Sequence, residues 1–358
     1  MRHTTILSVF GLLVACGATE PSEHPVPSAP IDPEVAVSAP PGKPGHGATV
    51  LFYNVENLFD TIDDPGPGDD DFTPRGKNHW TGERYERKLH QIASAIAMAG
   101  ESLPVLIGLS EVENKKVVED LSRTPPLDAG HYMVVHKDSP DERGIDVTLL
   151  VSKGKADVLE ADWLGVDLGT DRTRDILHAA LLWARKDTIQ VFVNHWPSRL
   201  GGVEESAIKR MTAAKRLRHA VDGLLAKDRR QRIIIMGDLN DEPLDASLKE
   251  GLRTDELVGD DHGADLYDLV GMDKQEPLGS SSYNGKWQYF DHIIVSRSLV
   301  WPEHKGDLHA ISAASAKDRR LIFHHPKNGD QPNRTFSGHS AYHADGFSDH
   351  LPVVLRLE

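Results

Sequence analysis

The feature that most constrains the fold is a series of short apolar segments, rich in β-branched residues, that recurs through most of the chain. Two segments, Arg84–Met98 and Val203–Leu225, have apolar residues three and four apart and are the clearest predicted helices. Several apolar segments follow one another after short turns, so they cannot all alternate with helices, and a mixed α/β sandwich is predicted in preference to a doubly wound sheet. The predicted strands are Thr49–Val55, Val105–Leu109, Val147–Val151, Ala179–Trp183, Ile189–Val193, Ile233–Met236, Ile293–Val295 and Leu351–Leu357.

The amino terminus has the composition of an export signal. A cationic start at Arg2 precedes the apolar run Ile6–Val14, which is shorter than the roughly 20 residues that span a bilayer. The next residues, ending in the only cysteine, Cys16, resemble a bacterial lipobox, which predicts removal of a signal peptide (1–15) and acylation of Cys16. An ordinary signal peptide with an incidental cysteine is the alternative. The expectation is an exported protein of the cell envelope, lipid-anchored at the outer membrane or cell surface.

Composition divides the rest of the chain. Residues 16–47 are rich in proline and small residues and cannot bury enough apolar surface to fold, so they are predicted to form a tether. A catalytic domain is predicted over residues 48–358. Within it, Asp60–Thr81 and Lys317–Gly346 lack periodicity and are predicted to be surface loops.

The formal net charge of -15 opposes long-range attraction to polyanions. This argues against a protein that coats nucleic acid, although it does not exclude one that cuts it.

Strand after predicted strand ends in a carboxylate, an amide or a histidine. Taken singly, such residues are turn formers or helix caps. Six in one chain indicate a shared site. They are Asn54, Glu111, the pair Asn194 and His195, the pair Asp238 and Asn240, Asp291, and the pair Asp349 and His350.

The ordered motifs FYNVENLFD, LSEVEN, RGIDVTLLVS, NHWPSR, IIIMGDLNDEP, YFDHIIVS and GFSDHLPV resemble the endonuclease/exonuclease/phosphatase superfamily, which includes deoxyribonuclease I. The resemblance covers residues 52 to 354. It implies a four-layer α/β/β/α sandwich with two mixed β-sheets and a site where the strand ends converge.

The resemblance also implies a metal site. Glu111 matches the principal ligand of a hard divalent cation, with Asn54 and Asp349 beside it. The expected ion is Mg²⁺ or Mn²⁺, with Ca²⁺ as an auxiliary.

The catalytic residues are likewise implied by the resemblance. Asp238 matches the residue that positions or deprotonates the attacking water, and Asn240 the donor to the phosphate. Two histidines are each expected to hold a carboxylate partner. The expected pairs are His195 with Asp146 and His350 with Asp291.

Three arginines, Arg143, Arg199 and Arg334, are candidate phosphate clamps, with surface ion pairing as the alternative. Glu56, Glu113 and His292 are left out of the predicted site because their neighbours match the family motifs better.

The residues QYFDH around Asp291 lack the tryptophan-cysteine-aspartate-arginine signature of inositol polyphosphate phosphatases, which argues against that subgroup. The leading hypothesis is a metal-dependent phosphodiesterase, a monomeric nuclease acting on extracellular nucleic acid. The alternatives are a phosphatase or phospholipid-headgroup phosphodiesterase, and a non-catalytic receptor for a phosphorylated ligand. The expected partners are nucleic acid or another phosphodiester, and a membrane through lipidated Cys16.

Overall fold

The computed structural model describes residues 47–257, 261, 263–270, 278–337 and 341–358. The predicted signal peptide and tether, Cys16 included, therefore lie outside the described residues except for Gly47. The α-helices are α1 (Gly82–Met98), α2 (Lys115–Arg123), α3 (Val203–Lys227) and α4 (Arg297–Val300). The strands are β1 (Ala48–Leu58), β2 (Leu106–Val112), β3 (Tyr132–His136), β4 (Asp146–Ser152), β5 (Ala156–Leu164), β6 (Ile176–Trp183), β7 (Asp187–His195), β8 (Arg232–Asp238), β9 (Thr254–Glu256), β10 (Leu266–Asp268), β11 (Ser281–Tyr283), β12 (Lys286–Gln288), β13 (Asp291–Ser296), β14 (Ala310–Ser315), β15 (Ile322–His325), β16 (Gly329–Pro332), β17 (Phe336–Ser337), β18 (Ala341–Tyr342) and β19 (Val353–Leu357).

Two large sheets form the centre of the fold. The first has the order β14-β19-β1-β2-β4-β3 and the second β5-β6-β7-β8-β13-β10-β9. Each contains parallel and antiparallel neighbours, for example β1 with β2 and β19 in the first sheet. Both sheets are therefore mixed, as predicted.

Alternating side chains build the layers. On β1, Val50 and Phe52 belong to the core between the two sheets, while Leu51 and Tyr53 belong to the core beneath α1 and α2. The same alternation on β8 divides its side chains between the inter-sheet core and the core beneath α3. Successive side chains of a strand point to opposite faces, so a strand buried on both faces has a continuous apolar run. The predicted four-layer α/β/β/α sandwich is confirmed.

All eight predicted strands and both predicted helices are present. The prediction of an irregular loop over Lys317–Gly346 is wrong, because β15 pairs with β16 and β17 with β18 in that segment. These strands are two to four residues long, too short for an apolar alternation to be visible. Asp60–Thr81 is largely irregular, as predicted, yet Trp80 within it is fully buried.

Among the described residues, no helix has both the length and the apolar character of a membrane span.

Candidate active site

Strand register brings the polar strand ends to one edge of the sandwich. In the first sheet, β1 runs parallel to β2, so Asn54 lies beside the segment that ends in Glu111. In the second, β7 runs parallel to β8 with His195 opposite Asp238, and antiparallel β13 places Asp291 opposite Asp238 as well. Parallel strands end at the same edge, and an antiparallel neighbour begins there. Residues far apart in sequence therefore meet.

Asp238 is the centre of this group. Its buried carboxylate accepts a hydrogen bond of 3.0 Å from Nδ2 of Asn54, which comes from the opposite sheet, and one of 3.0 Å from the Asn240 backbone amide. Nε2 of His195 lies 3.7 Å, and Nε2 of His350 3.8 Å, from Oδ2 of Asp238. Two imidazoles thus face one carboxylate.

The second of these histidines forms its expected pair. His350 Nδ1 lies 2.5 Å from Oδ2 of Asp291, whose side chain is inaccessible to solvent. Burial opposes a charge on the imidazole, but the Asp291 and Asp238 carboxylates outweigh it and raise the pKa of His350 well above its usual value. The ring therefore carries a proton at neutral pH, and its Nε2–H points toward Asp238.

Burial also changes Asp238. It raises the pKa of the Asp238 carboxyl to about 7; His350 and the Asn54 hydrogen bond lower it, while Asp291 and Glu111 raise it. A carboxylate with a pKa near ambient pH is suited to accept a proton from water in a reaction at that pH.

The expected pair of His195 with Asp146 is not formed. Among the described residues, Nδ1 of His195 has no hydrogen-bond partner. The Asp146 carboxylate accepts a 2.7 Å hydrogen bond from the Ser139 amide and lies 3.5 Å from Nε2 of His136. The physical reason is that Asp146 opens β4, where it faces the end of the adjacent β3 and not β7.

His195 is nevertheless in the site, in a neutral form. Its Nε2 lies 3.9 Å from Oε1 of Glu111 as well as close to Asp238. Burial, Arg174, Arg143 and His350 lower the pKa of His195 well below its usual value. The two histidines therefore differ: one is protonated and the other is neutral.

Two site residues have a backbone conformation that L-residues rarely adopt. Glu111 has a φ of 63° and Asn240 a φ of 53°, both in the left-handed region. Such conformations cost of order 1–3 kcal/mol and persist where the surrounding structure enforces them, often at functional sites. In this arrangement the Glu111 carboxylate lies 3.9 Å from Nε2 of His195, and the Asn240 backbone amide donates to Asp238.

The proposed metal ligands have suitable chemistry. Glu111 is partly exposed, its Oε2 accepts a 3.1 Å hydrogen bond from the Asn57 amide, and no lysine or arginine among the described residues forms an ion pair with it. The Asn54 amide oxygen accepts one hydrogen bond, from the Glu56 amide. The Asp349 side chain, which lies beside Arg334, is 35% exposed. These are hard oxygen donors with unused lone pairs, which fits a hard divalent cation.

Asp238, Asp291 and His350 also place ligand-type atoms within 4.8 Å of one another. Nδ1 of His350 already contacts Asp291 at 2.5 Å, and a nitrogen that donates a hydrogen bond there cannot also bind a cation. In the structure this group is held together by the contact of His350 with Asp291.

The three candidate clamps differ in the structure. Arg199 is already engaged: its Nε donates to the Asn240 carbonyl at 2.7 Å, and its Nη2 lies 2.9 Å from Asp241 and 2.5 Å from Asp245. It thus positions Asn240 through these contacts, and its role as a phosphate clamp stays a prediction.

The other two candidate clamps, Arg143 and Arg334, have guanidinium nitrogens that could still bind a phosphate. Arg143 is half exposed, 3.6 Å from Asp141, and close enough to His195 to lower its pKa. Arg334 Nη2 lies 3.8 Å from Asp349, and its buried Nε has no partner among the described residues.

Two supporting residues were missed at the level of sequence. Buried Arg174 donates to the carbonyls of His195 and Trp196 and to Asp141 at 2.9 Å, which fixes the end of β7. Glu56, set aside in favour of Asn54, accepts from the amides of Thr335 and Phe336 and so holds the segment that carries Arg334. Its place two residues after Asn54 was the available signal.

A third such residue is His292, whose Nδ1 lies 2.6 Å from Asp268 and Nε2 2.8 Å from the Asp241 carbonyl. Its position next to Asp291 in the YFDH motif marked it, but the sequence did not show which of the two residues faces the site.

Comparisons with known proteins bear on the fold and the family. A search of curated proteins finds no match. Solved structures that match include D. rerio TDP2 complexed with a single-strand DNA product (15% identity, 87% of this chain and 98% of that chain, TM-score 0.54). Others are the human Nocturnin catalytic domain with bound sulfate (16%, 87% and 94%, TM-score 0.53) and a mannosyl-6-phosphatase from Bacteroides thetaiotaomicron (16%, 87% and 99%, TM-score 0.51). At these identities the likeness shows the fold.

The family comparison covers nearly all of the described chain. The model of the endonuclease/exonuclease/phosphatase family matches residues 49–358, a span that contains every residue of the site. The protein therefore belongs to the endonuclease/exonuclease/phosphatase family.

Proposed function

We propose that this protein is a divalent-metal-dependent phosphodiesterase that cleaves nucleic acid. The observation that carries the proposal is the buried Asp238 carboxylate between two imidazoles, one neutral and one protonated, beside the partly exposed oxygens of Glu111. This arrangement brings together a proton acceptor, hydrogen-bond donors and cation ligands, as hydrolysis of a phosphate ester requires.

In the proposed mechanism, the water oxygen attacks phosphorus while Asp238 accepts its proton, and the bond from phosphorus to the leaving oxygen breaks as that oxygen takes a proton from His350. Asn240 uses one Nδ2–H on the Trp196 carbonyl and has a second for a phosphate oxygen. His350, held by Asp291, presents a protonated Nε2 to the reacting group, and neutral His195 supplies a further hydrogen bond. A divalent cation bound by Glu111, Asn54 and Asp349 would act as a Lewis acid that neutralises charge on the phosphoryl oxygens.

The surface beside the site supports an extended nucleic-acid substrate. Partly exposed rings of Phe72, Phe336 and Tyr342 form edge-on and tilted contacts with centroids 5.9 and 6.1 Å apart, and the Arg84 guanidinium lies 4.3 Å from the Tyr342 centroid. One ring of this cluster, Phe336, is two residues after Arg334. Aromatic rings interleaved with arginines bind single-stranded bases and their phosphates, and the similar D. rerio TDP2 was solved with a single-strand DNA product.

The test is hydrolysis of circular DNA, linear DNA, RNA, bis-nitrophenyl phosphate and sphingomyelin with Mg²⁺, Mn²⁺ or EDTA, beside a His195→Ala control. Metal-dependent cleavage of DNA or RNA that is lost in the control is expected. Turnover of sphingomyelin or a phosphomonoester alone would replace the nuclease by a lipid phosphodiesterase or a phosphatase. Silence on every substrate with intact ligand binding would overturn the enzyme and favour a receptor.

We further propose, from the amino-terminal sequence, that the enzyme acts on extracellular nucleic acid while anchored through acylated Cys16. Incorporation of labelled palmitate in a bacterial host, and its loss in Cys16→Ser, is the expected result. Release of the unmodified protein into the medium would contradict the anchor without affecting the catalytic proposal.

A further inference from the structure

A second acidic group lies outside the site described above. The loop that follows β1 passes the end of β2, where it brings Asp64 and Asp69 to Glu113. One carboxylate oxygen of each residue lies within 4.8 Å of one from each of the other two. Asp69 and Glu113 are 1% and 6% exposed, whereas Asp64 is partly exposed, so two of the three carboxylates are buried and the third reaches toward solvent.

Two of the carboxylates have unused oxygens. Asp69 accepts a 3.0 Å hydrogen bond from the Asp64 amide through Oδ2, and Glu113 accepts one of 2.6 Å from the Asp60 amide through Oε2. Their other oxygens, Asp69 Oδ1 and Glu113 Oε1, are buried and have no hydrogen-bond partner among the described residues.

Lys116 interacts with Glu113 only at longer range, because its Nζ lies 2.6 Å from Asp120. Within the part of the chain that the structure describes, no lysine, arginine or histidine forms an ion pair with Asp64, Asp69 or Glu113. An unpaired buried carboxylate loses its hydration without compensation, and several together also repel one another. The arrangement is therefore unfavourable unless a cation, or protons, neutralise it.

We propose that Asp64, Asp69 and Glu113 bind a calcium ion, separate from the metal site at Glu111. The donors are all carboxylate oxygens, which select a hard cation. Ca²⁺ accepts six to eight oxygens at about 2.3–2.6 Å in irregular geometry, so two of its ligands lie at most about 5 Å apart, and the observed spread fits within that limit.

The ion joins two chain segments beside the active site. Glu113 N donates to the Leu58 carbonyl at 3.0 Å, so β1 and β2 are already tied at this point. The loop then continues to Phe72, which stacks on Phe59 with centroids 4.2 Å apart. Calcium fastens this loop to β2 two residues beyond Glu111, and its role is structural.

The test is Ca²⁺ binding by calorimetry, with thermal unfolding, on the EDTA-treated full chain carrying Glu111→Gln so that the other site is silent. One bound Ca²⁺ and an unfolding midpoint raised by about 5 °C at a hundredfold excess over Kd are expected. Adding Asp69→Asn or Glu113→Gln abolishes both, whereas adding Asp70→Asn, an exposed neighbour, changes neither.

The unfolding temperature in the absence of calcium tests the proposal independently of Ca²⁺ binding. In EDTA, Asp69→Asn and Glu113→Gln should unfold no lower than the parent, because each removes repulsion while an amide oxygen can still accept the backbone hydrogen bond. Absence of Ca²⁺ binding in the Glu111→Gln parent, unchanged binding in both variants, or failure of both variants to fold in EDTA would each overturn the proposal. None of these outcomes bears on the catalytic site.

Discussion

The pairing of His350 with Asp291 allows a sharp test, because the protein contains a second pair with the same geometry. Asp291→Asn replaces a buried carboxylate 2.5 Å from Nδ1 of His350 by an amide. An acceptor oxygen remains, but the charge that supports the imidazolium is lost. A positioned proton donor or acceptor typically contributes about 10²–10⁴-fold. We expect kcat to fall by that range, about 3–5 kcal/mol in the barrier, with KM changed by only a few-fold.

The matched control is Asp268→Asn. Asp268 lies 2.6 Å from Nδ1 of His292 and is equally buried, but Nε2 of that ring binds the Asp241 carbonyl and does not face the site. Each variant weakens one buried hydrogen bond to a charged group, so each should lower the free energy of unfolding by about 1–3 kcal/mol. Urea unfolding measures this cost, and steady-state kinetics on bis-nitrophenyl phosphate, or on whichever substrate is turned over, measures activity.

Equal losses of activity in the two variants would refute the reasoning, since both would then act through stability. An Asp291→Asn enzyme with wild-type kcat would also refute it.

Three further predictions follow from the same contacts. Arg199→Met should lower kcat about tenfold or more with little change in KM, because the substitution removes the hydrogen bond to the Asn240 carbonyl. A rise in KM alone would instead support Arg199 as a phosphate clamp. Glu111→Gln should weaken Mg²⁺ binding and activity by more than the roughly 10–100-fold typical of outer-shell partners, measured by calorimetry and turnover; unchanged metal affinity would move the site elsewhere. Despite burial, Asp268 raises the pKa of His292 to about 9, above its usual value. That pair's stabilisation is therefore complete below about pH 6.5 and is lost as pH rises through 9, by on the order of 3 kcal/mol. Wild type and His292→Gln should converge in urea unfolding at high pH, and a constant difference would contradict the assignment.

The sequence by itself determined the sandwich. Strands buried on both faces must be apolar throughout, so β1 and β8 were visible as continuous runs, whereas the short strands β15 to β18 carried no such signal. It also determined which residues carry the chemistry, since polar groups at the ends of otherwise apolar strands have few other reasons to be there.

Only the tertiary structure decided which of these groups are partners. Asp146 and Asp291 are equivalent in sequence, as acids that open a strand, but register places one beside His136 and the other beside His350. The hydrogen bond from Arg199 to the Asn240 carbonyl likewise had no signal in the sequence. Hydrogen bonds and pKa shifts depend on distances and burial between distant segments, and a linear sequence contains neither.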